Sequence, residues 1–229
     1  MAAVLLDELL DPARAALVTC ECQLGVLGGP LGEGAVFPAL AEAAGKVDLV
    51  ERVRELGAAA RSAGVPVLHC TALRREDGRG ANRNARLFAA AARSGTPLAP
   101  GSDAAALHPG IGADEARDLV LPRLHGLGPF QDTGLASVLR NLGVRTVVCV
   151  GVSLNVALIE LVFGAVDAGF QVVLPQDAVA GTPPEYAQAV LQHTLALVAT
   201  VTDSRTVAGR WGSQPLGVAA VLRSAPAPQ

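Results

Sequence analysis

A chain of 229 residues is long enough for one large domain with a buried core. Half of it is apolar and its mean hydropathy is +0.40, yet Asp, Arg, Gln or Gly interrupts every apolar run before the ~18 residues of a membrane span, which excludes one. A net charge of −3 offers no basic face to nucleic acid.

The opening, MAAVLLDELLDPAR, carries acids where a signal peptide carries positive charge, and it reads as a short helix. Residues 15–22 (AALVTCEC) form a short apolar strand, and 47–64 have helical periodicity ended by Gly64. A second buried strand spans 65–72 (VPVLHCTA), and a helix over 82–95 closes at Gly95. The segment 95–116, rich in Gly, Pro, Ser and Asp, is the one long irregular stretch and reads as a lid or subunit-contact loop.

Residues 117–123 (RDLVLPR) make a third strand, and 133–143 a helix with Thr133 as cap and Gly143 at its end. The pattern strand, helix, strand then repeats over 145–152, 155–169 and 170–179. A proline-started helix over 183–199 runs towards a last short strand, ATVT. Apolar strands separated by helices predict a single-domain α/β protein, a doubly wound parallel sheet in three layers, α/β/α. The expected division is an N-terminal helical extension over 1–13, the domain over 14–209, and a C-terminal extension with a disordered tail over 210–229.

Ligands in such sheets bind beyond the carboxyl ends of the strands, so polar groups there are the site candidates. The first strand ends in Glu21, beside Gln23. Partial desolvation there suits a carboxylate to acid–base work; the plainer reading is a loop glutamate paired with a nearby arginine. After His69 and Cys70 come Arg74, Arg75, Arg79, Arg83 and Arg86, able to hold a carboxylate substrate or simply to form a solvated charged loop. The third strand ends in Arg123, and His125 and Phe130 follow among glycines as candidate pocket borders.

The fourth strand leads into GVSLN. Ser153, Asp177 and His193 follow in the order of a nucleophile-elbow triad, but position 155 is Asn rather than Gly and His193 falls within a helix. The four cysteines, Cys20, Cys22, Cys70 and Cys149, lie in or at the ends of strands, where a cytosolic protein keeps buried thiols. Cys-x-Cys without a matching downstream pair does not suggest zinc. On a continuous strand Cys20 and Cys22 point away from Glu21.

Taken together, ALVTCECQ and the stretch from LPRLHGLGPFQDTGLASVLRNLG through VVCVGVSLNVALIELVFGAVDAGFQVVLPQDAVAG resemble the isochorismatase-like hydrolase family, which includes nicotinamidases and other cysteine hydrolases. The likeness covers roughly residues 14–203. It implies that Glu21 stands at the position of the family's catalytic Asp, Arg123 on or near its Lys, and Ala157 at its Cys. Lys46, the only lysine, comes too early to serve. Arginine does not shuttle a proton near neutral pH, and alanine cannot attack anything.

The family's Asp-x-His metal pair has no counterpart, so neither a metal nor another cofactor is implied. The branch of the family that cleaves a vinyl ether needs no covalent nucleophile. There the resemblance implies Glu21 as the acid, Gln23, Arg74, Arg83, His125, Phe130 and Asn155 around a small anionic substrate, and the backbone at Val152–Ser153, often a cis peptide in the family, facing the reacting oxygen. It also implies a cytoplasmic homo-oligomer, dimer or tetramer, that binds a small molecule rather than a membrane or nucleic acid. Two alternatives stand beside this reading: a catalytically silent ligand-binding or assembly subunit, and Cys22 or Cys70 as a displaced nucleophile.

Overall fold

The computed structural model describes residues 5–29 and 33–212. Seven strands form one parallel sheet: β1 (Ala15–Cys20), β2 (Val67–Ala72), β3 (Leu119–Arg123), β4 (Thr146–Val152), β5 (Gln171–Pro175), β6 (Val179–Ala180) and β7 (Thr200–Thr202). They lie in the order β3-β2-β1-β4-β5-β7, with β6 pairing the end of β4. The order reverses between β1 and β4, so the crevice expected of a doubly wound sheet opens at their carboxyl ends.

Alternation along the strands supplies both faces of the core. Ala16, Val18 and Cys20 of β1 point to the same side as Val147 and Cys149 of β4. Helices α6 (Leu135–Asn141), α7 (Ala157–Asp167) and α8 (Pro184–His193) cover that side. Leu17, Val148 and Val150 point to the other, covered by α1 (Leu6–Leu9), α3 (Pro38–Lys46), α4 (Leu49–Ser62) and α9 (Ser204–Gly212). The single turn α2 (Leu24–Leu27) adds Val26 and Leu27 to that second side, and α5 (Arg86–Arg93) remains outside both layers. The three-layer α/β/α architecture is the one the strand–helix alternation predicts.

Several expectations need correction in detail. Residues 170–179 are two strands, because the chain turns at Gln176–Asp177 and the Asp177 carboxylate anchors α9, accepting from Ser204 N and Oγ, both at 2.7 Å. The helix expected over 183–199 ends at His193 and gives way to a 3₁₀ turn over Leu195–Leu197. Helices α2, α3 and α9 were not foreseen. β3 is the sheet edge, with Leu119 and Val120 exposed. The segment 95–116 packs back on the chain after β1 through Leu24 N to Ala106 O and His108 N to Cys22 O, both 2.9 Å. The tail read as disordered lies, from residue 213 on, outside the described residues. No helix among the described residues is long and apolar enough to cross a membrane.

Away from the crevice, a polar network is sealed between β1, β2 and β3. Thr19 Oγ1 meets His69 Nδ1 at 2.8 Å, and His69 Nε2 meets Asp118 Oδ2 at 3.1 Å. The same carboxylate accepts from Arg61 Nη1 at 2.8 Å and from Asp114 N at 2.9 Å. Burial holds the His69 imidazole below its ordinary value, and the bond and attraction to Asp118 only partly offset it. As pH falls through the ordinary histidine value of 6.5, the unfolded chain binds a proton that the folded one resists. Stability is therefore lost towards acid and levels off once the folded imidazole is charged too. Between pH 7 and 5, denaturant titrations of wild type should lose stability more steeply than those of His69→Gln, by at most about 1.4 kcal/mol per pH unit.

Candidate active site

β1 stops at Cys20 because Glu21 turns into the left-handed region, with φ 52°. That conformation is uncommon for a residue with a side chain and tends to mark functional positions. It also interrupts the alternation, so Cys20 joins one core face and Cys22 the other, correcting the expectation that both point away from Glu21. The Glu21 carboxylate is instead turned over the end of β2 towards the last residue of β3. Arg123 Nη2 donates to Glu21 Oε1 and, at 3.3 Å, to the carbonyl of Leu127. Arg123 is almost wholly buried and its Nε and Nη1 find no partner. Burial is the largest single influence and works against the charge, but the attraction and hydrogen bond of Glu21, together with the neighbouring Cys20 and Cys70, outweigh it and the guanidinium's pKa is raised. Arg123 is a fixed positive charge.

This pair sits in a cavity of about 450 Å³ at the carboxyl edge of the sheet. Glu21, Arg74, Arg123, His125, Ser153, Asn155 and Ala157 all line it, so the structure brings seven of the expected residues together. The peptide Val152–Ser153 is cis. Asn155 is held by Nδ2 donating to Thr182 O at 3.1 Å. Arg74 lies within the lining, and no carboxylate among the described residues pairs with its guanidinium. Arg75 is tied to Asp77 instead.

Four expected residues lie elsewhere. Val152, expected through its backbone, brings only its cis peptide to Ser153 beside the lining, and its side chain is completely buried in the sheet core. Arg83 flanks Gly78 next to Arg74 but does not reach the cavity. Phe130 packs edge-on against Phe170, their centroids 6.3 Å apart, and belongs to the core. Gln23 has no exposure at all. Its Nε2 donates to Ala72 O at 2.9 Å and Ala105 O at 2.8 Å, and its Oε1 accepts from Ala72 N at 2.7 Å. It joins the end of β2 to the 95–116 segment. Gln23→Met should therefore cost about 2–4 kcal/mol of stability in chemical denaturation, because the N–H and carbonyl of partly buried Ala72 and the buried carbonyl of Ala105 lose their partner.

Asp177 and Ser153 do not form a triad, since the Asp177 carboxylate is committed to Ser204 and Arg52. None of the four cysteines lines the cavity; all are buried. Burial is the main force pushing the thiols of Cys22 and Cys70 up to about 12, and those of Cys20 and Cys149 are also raised. Such thiols stay protonated and unreactive at neutral pH. Among the described residues no group of three or more His, Cys, Asp or Glu could hold a metal ion.

The lining that the sequence did not suggest comes from α5 and from the chain entering α3, including Leu87, Phe88, Phe37 and Leu40. A helix was expected over 82–95, but an apolar helix face does not tell a core face from a cavity wall. Thr182 and Asn82 also line the cavity. Asn82 Oδ1 accepts from Gly126 N at 2.8 Å and so ties the α5 approach to the His125 loop.

A parallel sheet that reverses its order beneath a cavity holding a carboxylate, a buried guanidinium and the first turn of a helix defines a doubly wound α/β enzyme. The chain belongs to the isochorismatase family of hydrolases, whose Isochorismatase domain matches residues 15–206. Among curated proteins none matches it. Solved structures share its fold. A cysteine hydrolase from Pseudomonas syringae pv. phaseolicola is similar at 24% identity and TM-score 0.76, over 93% of this chain and 99% of that one. N-carbamoylsarcosine amidase from Thermoplasma acidophilum matches at 21% and 0.64, over 83% and 96%. The pyrazinamidase of Pyrococcus horikoshii, solved in complex with zinc, matches at 19% and 0.65, over 83% and 99%.

Proposed function

We propose that this chain is a hydrolase that acts on a small anionic substrate without a covalent cysteine intermediate, with Glu21 moving the proton and water as the nucleophile. The observation that carries the reading is the placement of Glu21, paired with Arg123, in the same cavity as the methyl group of Ala157. Alanine offers no attacking atom, so the attack falls to water.

Glu21 Oε1 is held by Arg123, while no hydrogen bond among the described residues engages Oε2. A proton on Oε2 passes to the substrate, so that the attacked carbon becomes electrophilic and water bonds to it. The proton released by that water returns to Glu21 as the bond to the leaving atom breaks, the base half of its cycle. The balance is R–X plus water giving R–OH plus HX. Arg123 orients the carboxylate but carries no proton, since a guanidinium does not deprotonate. Arg74, with no carboxylate partner, is the group to meet a substrate anion.

The test is an assay of isochorismate, a panel of vinyl ethers and small amides, before and after treatment with iodoacetamide. Turnover of at least one compound, unchanged by alkylation, is the expected result. Turnover that alkylation abolishes would transfer the chemistry to a thiol, and none with any substrate would overturn the reading.

A further inference from the structure

The cavity is divided chemically. Glu21, Arg123, Ser153 and Asn155 stand together at the strand ends, Arg74, Asn82, His125 and Thr182 add polar groups elsewhere in the lining, and most of the remaining wall is hydrocarbon. One side of that wall is α5. Leu87, Phe88 and Ala91, spaced to share one face of the helix, all line the cavity, while no residue of α5 is buried. The helix is amphipathic, but its apolar face is not spent on the core. Phe37 and Leu40 line the same space, and Leu127 beside the Glu21–Arg123 pair is also exposed. A substrate consisting only of a small charged group would leave this wall in contact with water.

We propose that the substrate carries a hydrocarbon arm, an alkyl chain of several carbons or an aryl group, that lies along α5 while its scissile bond sits at Glu21. The inference deepens the hydrolytic reading of the site and rests on it for the position of that bond. The occupant is a small molecule because the apolar wall is continuous with Glu21 and Ala157 in a single cavity. Its volume falls within the range of sites that enclose small ligands. Covering α5 removes apolar surface from water, so affinity tracks the length of the arm.

Binding of straight-chain primary amides from acetamide to octanamide tests this. The measurement is calorimetric, on wild type and on a Leu87→Ser/Phe88→Ser variant. Both replaced residues are only partly buried and neither belongs to the buried core, and circular dichroism of the variant checks that the fold is kept. Affinity should rise about fourfold per added methylene, and the variant should reduce the increment to less than about twofold. Affinity independent of chain length, or an increment unchanged in the variant, would overturn the proposal. Ammonia release from the same amides, together with the vinyl-ether assay, reports the chemistry separately. A chain-length increment without turnover of any compound keeps the apolar ligand class and sinks the hydrolytic reading. Turnover indifferent to chain length does the reverse.

Discussion

Glu21→Gln is expected to lower kcat/KM by about 10²- to 10⁴-fold, the usual contribution of a positioned proton-transfer group. The amide keeps the length and shape of the side chain, and its oxygen can still accept from Arg123, but it cannot take a proton from water. The substitution also leaves Arg123 charged and buried without a counter-ion. Breaking one side of such a pair costs about 3–5 kcal/mol. Loss of activity must therefore be separated from loss of fold. A Glu21→Gln/Arg123→Gln double variant removes both charges; it should recover most of the lost stability and none of the lost rate. Activity returning with stability in the double variant would mean that Glu21 serves only to neutralise Arg123.

The largest effect on stability is expected at Gly151, in the middle of the sheet. It pairs with Cys20 across β1 and β4 and has φ 111°. A Cβ there would stand 2.3 Å from Cys20 O and 2.9 Å from Cys20 N. These are backbone atoms of a central strand and have nowhere to move. Gly151→Ala should lose at least about 4 kcal/mol in urea denaturation, the range reserved for a defined steric conflict. Gly143→Ala is the control. It also has positive φ, 73°, but nothing lies within 4 Å of its added methyl, so it should lose only about 1–2 kcal/mol. Equal losses would refute the close approach of β1 to β4.

The sheet was legible in the sequence because its central strands are buried on both sides and read as unbroken apolar runs. Glu21 and Arg123 were legible as polar residues where such runs end, and the resemblance implied roles for them. Gln23 was misread because adjacency on paper to Glu21 suggested a shared cavity. The left-handed turn at Glu21 redirects the chain after β1, and Gln23 spends its amide on Ala72 and Ala105. Phe130 was misread for the opposite reason: the glycines around it suggested an open loop. Two backbone bonds to Glu160, from Phe130 N at 3.0 Å and Gln131 N at 2.9 Å, fold that loop inward. The apolar side chains of α5 were visible, but their destination depends on what stands opposite, which a single helix does not record.

The bond between Glu21 and Arg123 spans from β1 to β3, passing over the end of β2. Since β3 is one of the two outermost strands, the pair is a crossbar that fastens that margin of the sheet to its centre. Under the proposed chemistry the same contact serves both the reaction and the architecture. A lineage that altered either residue to accept a different substrate would loosen the sheet's edge in the same step, and would need a second change along β3 to hold it closed.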